Sequence, residues 1–87
     1  MKRTDFSFNI TFLTDNTDEF IKKLESFKGV EQAKIVGNKS DADLVINVVF
    51  DNSETAKKLH RKIMNFMIKS KDSIIVRSAK SILSDIF

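Results

Sequence analysis

The sequence predicts an α+β domain of βαββαβ order, with a four-stranded antiparallel sheet, two helices on one sheet face and a short C-terminal helix. Three observations predict it. Ala42 to Phe50 places Ala42, Leu44, Ile46, Val48 and Phe50 on one face of a strand, where side chains alternate, while its other face is mixed. Asp5 to Leu13 alternates in the same way, with Phe6, Phe8, Ile10 and Phe12 opposite Ser7, Asn9 and Thr11. Two helix-period stripes separate these and the remaining strands. A short hairpin joins strands two and three, and right-handed crossovers carry both helices to the same face. Those constraints define the split-βαβ, ferredoxin-like plait, with its second sheet face open.

Each element has a local reason. The first strand must turn its aromatic face to the core, because the opposite face is uniformly polar. Thr14 to Glu19 turns into a helix, where Asn16 and Glu19 have capping-box spacing and the acidic first turn suits the helix dipole. Phe20, Ile21, Leu24 and Phe27 form its inward stripe to about Lys28, and Gly29 supplies a left-handed cap. Val30 to Val36 carries Glu31 and Lys34 and is placed at a sheet edge, where charges discourage edge pairing. Gly37 to Asp41 has hairpin-loop chemistry.

Asp51-Asn52-Ser53 opens the second helix, with Glu54 three residues after Asp51. Ala56, Leu59, Ile63, Phe66 and Met67 face inward, and Met64 and Ile68 widen the apolar arc beyond one contact. Ser73 to Ser78 reads as the last strand. Ala79, Ile82, Leu83 and Ile86 then fall at helical spacing, giving a third helix over 79–87 that ends on Phe87. The chain is one domain, residues 1–87, with its core over 5–78.

Composition narrows the function classes. The 87 residues are 41% hydrophobic and 31% charged, as in ordinary globular domains. There is no cysteine, so no disulfide framework, thiolate nucleophile or thiolate metal site is available, which suits a reducing cytoplasm. No apolar run approaches the roughly 20 residues of a membrane span, and polar residues break the N-terminal stretch where a signal peptide would be apolar. The net charge of +3 is uneven: residues 1–51 carry 7 basic and 9 acidic side chains, residues 52–87 carry 8 and 3.

The segment Phe27-Lys28-Gly29-Val30-Glu31-Gln32-Ala33 resembles the helix-end, Gly-Val, second-strand junction of ACT regulatory domains, Lrp-type ligand-sensing domains and heavy-metal-associated domains. The resemblance runs over residues 5–78 and implies the plait, with small-ligand sensing of the ACT type as one functional alternative. The departures from these families are informative. Thr14-Asp15-Asn16-Thr17 stands where heavy-metal-associated domains carry Cys-x-x-Cys, so that mode of metal carriage is excluded. It also lacks the glycine with which ACT domains approach an amino acid, and the arginine-bearing, glycine-rich loop of acylphosphatases. RNA-recognition modules stack bases on open-face aromatics; here that face offers Ser7, Asn9, Thr11, Val45, Asn47 and Val49.

Candidate chemistry is sparse. His60 is the sole histidine; it sits at the border of the second helix's stripe and is read as a surface or rim residue, because zinc requires three or four ligands and a general base requires a partner. Asp15, Asp18 and Glu19 lack calcium-loop spacing and read as capping residues. No catalytic residue, cofactor or metal ligand is assigned. The expected function is that of a non-enzymatic protein-interaction or regulatory module of the cytoplasm, such as an accessory or inhibitor in a phage or bacterial-conflict system. Its expected partner is a second copy of itself, through Val45, Val49, Met64, Ile68, Ile82, Leu83, Ile86 and Phe87, because apolar patches beyond a few hundred Å² are rarely left open and two-fold dimers commonly cover them. The alternative is nucleic-acid binding through Lys57, Lys58, Arg61 and Lys62, two turns of basic helix.

Overall fold

A computed structural model describes residues 2–81, with side chains described through residue 78. The elements follow the order β1 (Lys2–Phe12), α1 (Thr17–Glu25), β2 (Val30–Asn38), β3 (Asp41–Phe50), α2 (Ser53–Lys69) and β4 (Ile74–Ser81). The four strands form one antiparallel sheet in the order β2-β3-β1-β4. β1 and β3, the two strands with the cleanest alternation, are therefore the central pair, and Phe6 stands opposite Ile46 and Phe8 opposite Leu44. Each helix links two parallel strands across an intervening one: β1 to β2 across β3, and β3 to β4 across β1.

The alternation of β1 and β3 places one sheet face in the core. Phe6, Phe8, Ile10, Ala42, Leu44 and Ile46 are fully buried there, together with Leu24 of α1 and Ala56 and Ile63 of α2. Burying each large apolar side chain contributes roughly 1.5–3 kcal/mol before ordering entropy is subtracted. The layers are joined by an aromatic chain: Phe12 meets Phe20 edge-on at 5.7 Å, Phe20 stacks on Phe66 at 5.3 Å, and Phe66 meets Phe27 edge-on at 5.5 Å. Such pairs add about 0.5–1.5 kcal/mol beyond their area. Seven phenylalanines lie among the described residues, and all seven belong to this cluster or pack against it. Phe66, expected on the fully inward stripe, is half-buried.

Several local expectations need correction. The helix α1 ends at Glu25 rather than near Lys28, with Ser26 as its C-cap. Gly29 does take a positive φ of 99°, but in the turn before β2 rather than directly after the helix. Asn16 occupies the N-cap of α1, yet its side chain makes no capping bond. At α2 the capping box is real but shifted by one residue: the Asn52 side chain accepts from the Thr55 N–H at 3.0 Å, and the Thr55 hydroxyl accepts from the Asn52 N–H at 3.1 Å. Asp51 and Glu54 do not take these roles.

The C-terminal segment also departs from its periodicity. Residues 79–81, assigned above to a third helix, continue β4, with Phe8 opposite Ala79, Ser7 opposite Lys80 and Phe6 opposite Ser81. β1 starts at Lys2 rather than Asp5, but the cause lies within its alternating stretch: Phe8, Ser7 and Phe6 offer backbone groups on the edge beside β4, and residues 79–81 fill them. A register shift between Asn9 and Ile10 leaves Arg77 as the extra residue on β4. The rest of the expected helix, including Ile82, Leu83, Ile86 and Phe87, lies outside the described residues.

Candidate nucleic-acid interface

The helix α2 has a buried stripe of Ala56, Leu59, Ile63 and Met67, spaced by three and four residues. That stripe fixes the rotation of the helix and turns Lys57, Lys58, Arg61 and Lys62 outward; all four are exposed. The only acid in the helix is Glu54 in its first turn. Among the described residues, Lys58, Arg61 and Lys62 make no ion pair or hydrogen bond. Lys57 with Arg61 and Lys58 with Lys62 are like-charge pairs at i,i+4, each costing a few tenths of a kcal/mol in an isolated helix. The outward face of α2 is thus a cationic surface.

Beside this stripe runs a groove of about 420 Å³ between α2, the end of β3 and the turn before β2. Lys58 and Lys62 line one wall, and Lys28, from the turn, also lines it. Lys28 was not recognisable in the sequence as part of a basic surface. It lies about 30 residues from Lys58, and only the packing of that turn on α2 brings them together. The backbone that fixes the turn includes the Val49 N–H donating to the Gly29 carbonyl at 2.8 Å.

The self-association candidates are divided by the sheet. Val45 and Val49 are half-buried on the open face, whereas Met64 and Ile68 belong to α2 on the other side. The open face is also more charged than expected. Lys34 stands opposite Val45 on β2, Arg3 stands opposite Val49 on β1, and Asp5 faces Asn47. Register thus brings a cation from each neighbouring strand, Arg3 from β1 and Lys34 from β2. A polar network covers much of this face: the Asn9 side-chain amide donates to Asp41 at 2.9 Å and to Asp43 at 3.1 Å, Asn47 donates to Asp5, and Arg3 pairs with Glu31 at 2.9 Å. Met64 is half-buried against the core, and Ile68 is 62% exposed. Val36 and Ile75, also exposed, sit on opposite edge strands.

His60 is half-buried, at the rim of the core rather than on the open surface. Its ring meets Phe6 edge-on at 5.0 Å and stacks on Phe8 at 5.9 Å, and its Nε2 is buried without a hydrogen-bond partner among the described residues. Burial holds its pKa below the ordinary 6.5, because the charged ring would lose hydration. Asp15 does not cap α1 but pairs with Lys39; that hydrogen bond and the lysine charge hold its carboxyl below the ordinary 3.8. Glu19 pairs with Lys23 at 3.8 Å. Among the described residues no three His, Cys, Asp or Glu side chains cluster as metal ligands, and no helix is long and apolar enough to cross a membrane.

Comparison of the chain with protein-family models, curated proteins and solved structures yields no match.

Proposed function

We propose that the chain is a non-enzymatic binding module built on a ferredoxin-like plait, and that it contacts the phosphate backbone of nucleic acid through the outward face of α2. The plait reading is supported by the βαββαβ order and by two helical crossovers that each span an intervening strand. One observation carries the functional reading: two consecutive turns of α2 present four exposed cations arranged as two like-charge pairs. No aromatic side chain is placed on the open sheet face among the described residues, so base stacking has no platform there. The contact is therefore electrostatic and independent of base sequence.

The test is an anisotropy titration of a labelled DNA duplex at low salt. The wild type binds, and Lys58→Glu with Arg61→Glu abolishes binding while the melting temperature changes little. A wild type that does not bind removes the reading. Self-association remains a second reading, supported by the exposure of Ile68 beside half-buried Met64 at the C-terminal end of α2. A dimer in light scattering of the full chain that Ile68→Glu converts to monomer supports it; a monomer at high concentration rejects it.

A further inference from the structure

We propose that the groove between α2 and the turn before β2 is a binding site for a small organic phosphate, a compact dianion carrying an apolar body. Its volume of about 420 Å³ is within the usual range of ligand sites. Its charged lining is three lysines, Lys28, Lys58 and Lys62, and one carboxylate, Asp51. None of the three lysines is in an ion pair or hydrogen bond among the described residues. The site therefore has a surplus of two positive charges, which a phosphomonoester matches. Lysine recognises phosphate as a mobile point charge, so ammonium groups from two walls can converge on one tetrahedral anion.

The rest of the lining selects the body of the ligand. Leu59 and Phe50 are buried apolar residues that also line the groove. Gly29 lets the turn pack closely against this wall: a Cβ there would lie 3.0 Å from Leu59 Cδ2 and 3.2 Å from the Val49 carbonyl oxygen. The hydroxyl of Thr55 is engaged in the capping box, donating to the Asn52 carbonyl at 2.7 Å, so it anchors the wall rather than the ligand.

Two other hollows lack this combination. One of about 610 Å³ beside Arg3 and Asn47 has its one cation, Arg3, paired with Glu31, and Asp5 leaves its lining net negative. The smaller one, about 200 Å³ beside Phe20, has its lysine, Lys23, paired with Glu19.

The groove reading is separable from the polymer reading, because Lys28 lies off α2 while Lys57 and Arg61 lie outside the groove. The test is an NMR titration of the full chain with phenyl phosphate in moderate salt, with inorganic phosphate and phenol as reference probes. The expected result is saturable amide shifts centred on Gly29, Val49 and Leu59, and affinity at least about tenfold above that for inorganic phosphate, which lacks the apolar body. Lys28→Ser with Lys62→Ser should weaken phenyl phosphate at least tenfold with the amide spectrum otherwise retained. Shifts that never saturate, that spread along Lys57, Arg61 and Lys69, or that persist in the double variant would overturn the proposal. Equal affinity for phenyl phosphate and inorganic phosphate would overturn it as well.

Discussion

His60 lies edge-on against Phe6, ring centroids 5.0 Å apart, with its Nε2 buried and unpartnered among the described residues. The same ring stacks on Phe8, so an ionisable group from α2 closes over the aromatic half of β1. Protonation there puts a charge against two phenylalanines with little to solvate it. The unfolded chain takes up that proton near 6.5, whereas the native state resists it until lower pH. Stability is accordingly full above about 6.5 and declines as the pH falls from that value through the lowered native pKa. Asp15 behaves with the same sign, but only near and below 3.8. Between pH 7.5 and 5.5 the loss should come from His60. Melting curves of the wild type should fall over that interval and those of His60→Phe should stay nearly level; equal falls would reject the assignment.

The two sheet faces differ in what they tolerate. Ile46 is fully buried in the centre of the sheet, and Ile46→Asp leaves an unpaired charge there. It should cost more than about 3 kcal/mol, enough to unfold a domain of marginal stability. Asn47→Asp, on the open face, loses the bond to Asp5 and sets two carboxylates together, a cost of about 1–2 kcal/mol in solvent. Denaturant unfolding of both variants measures the difference. Similar losses would mean that the face assignment is wrong.

The helix caps are unequal for a visible reason. Asn52 closes a reciprocal capping box with Thr55, while Asn16 makes no side-chain capping bond. Asn52→Ala should therefore lose about 1 kcal/mol, and Asn16→Ala should lose much less. Chemical denaturation midpoints report both; a reversed order would contradict the cap geometry.

These contrasts show which parts of the fold were legible in the residues. The central strands were, because strict alternation at Phe6, Phe8 and Ile10 and at Leu44, Ile46 and Val48 allows one buried face. The basic stripe was, because cations at i,i+4 on a helix whose inward residues are known must face outward. The caps were less so: Asn16 and Asn52 are the same residue type before similar helices, and only the local backbone decides which one bonds. The spacing of Ala79 to Ile82 and Leu83 fits a helix, whereas its pairing with Phe8 depends on a vacant strand edge some 70 residues away in sequence. Lys28 was missed for the same reason, since its nearness to Lys58 and Lys62 exists only after packing.

The central claim is that α2 meets nucleic acid by neutralising phosphates with Lys57, Lys58, Arg61 and Lys62. The salt dependence of duplex DNA affinity tests it most directly. Each phosphate contact lowers the slope of log Kobs against log salt by about 0.9, so four contacts give a slope of about −3 to −4. Lys58→Glu with Arg61→Glu should remove the binding, and random-sequence duplexes should behave alike. A slope near zero in the wild type, or affinity unchanged by that double substitution, would contradict the account.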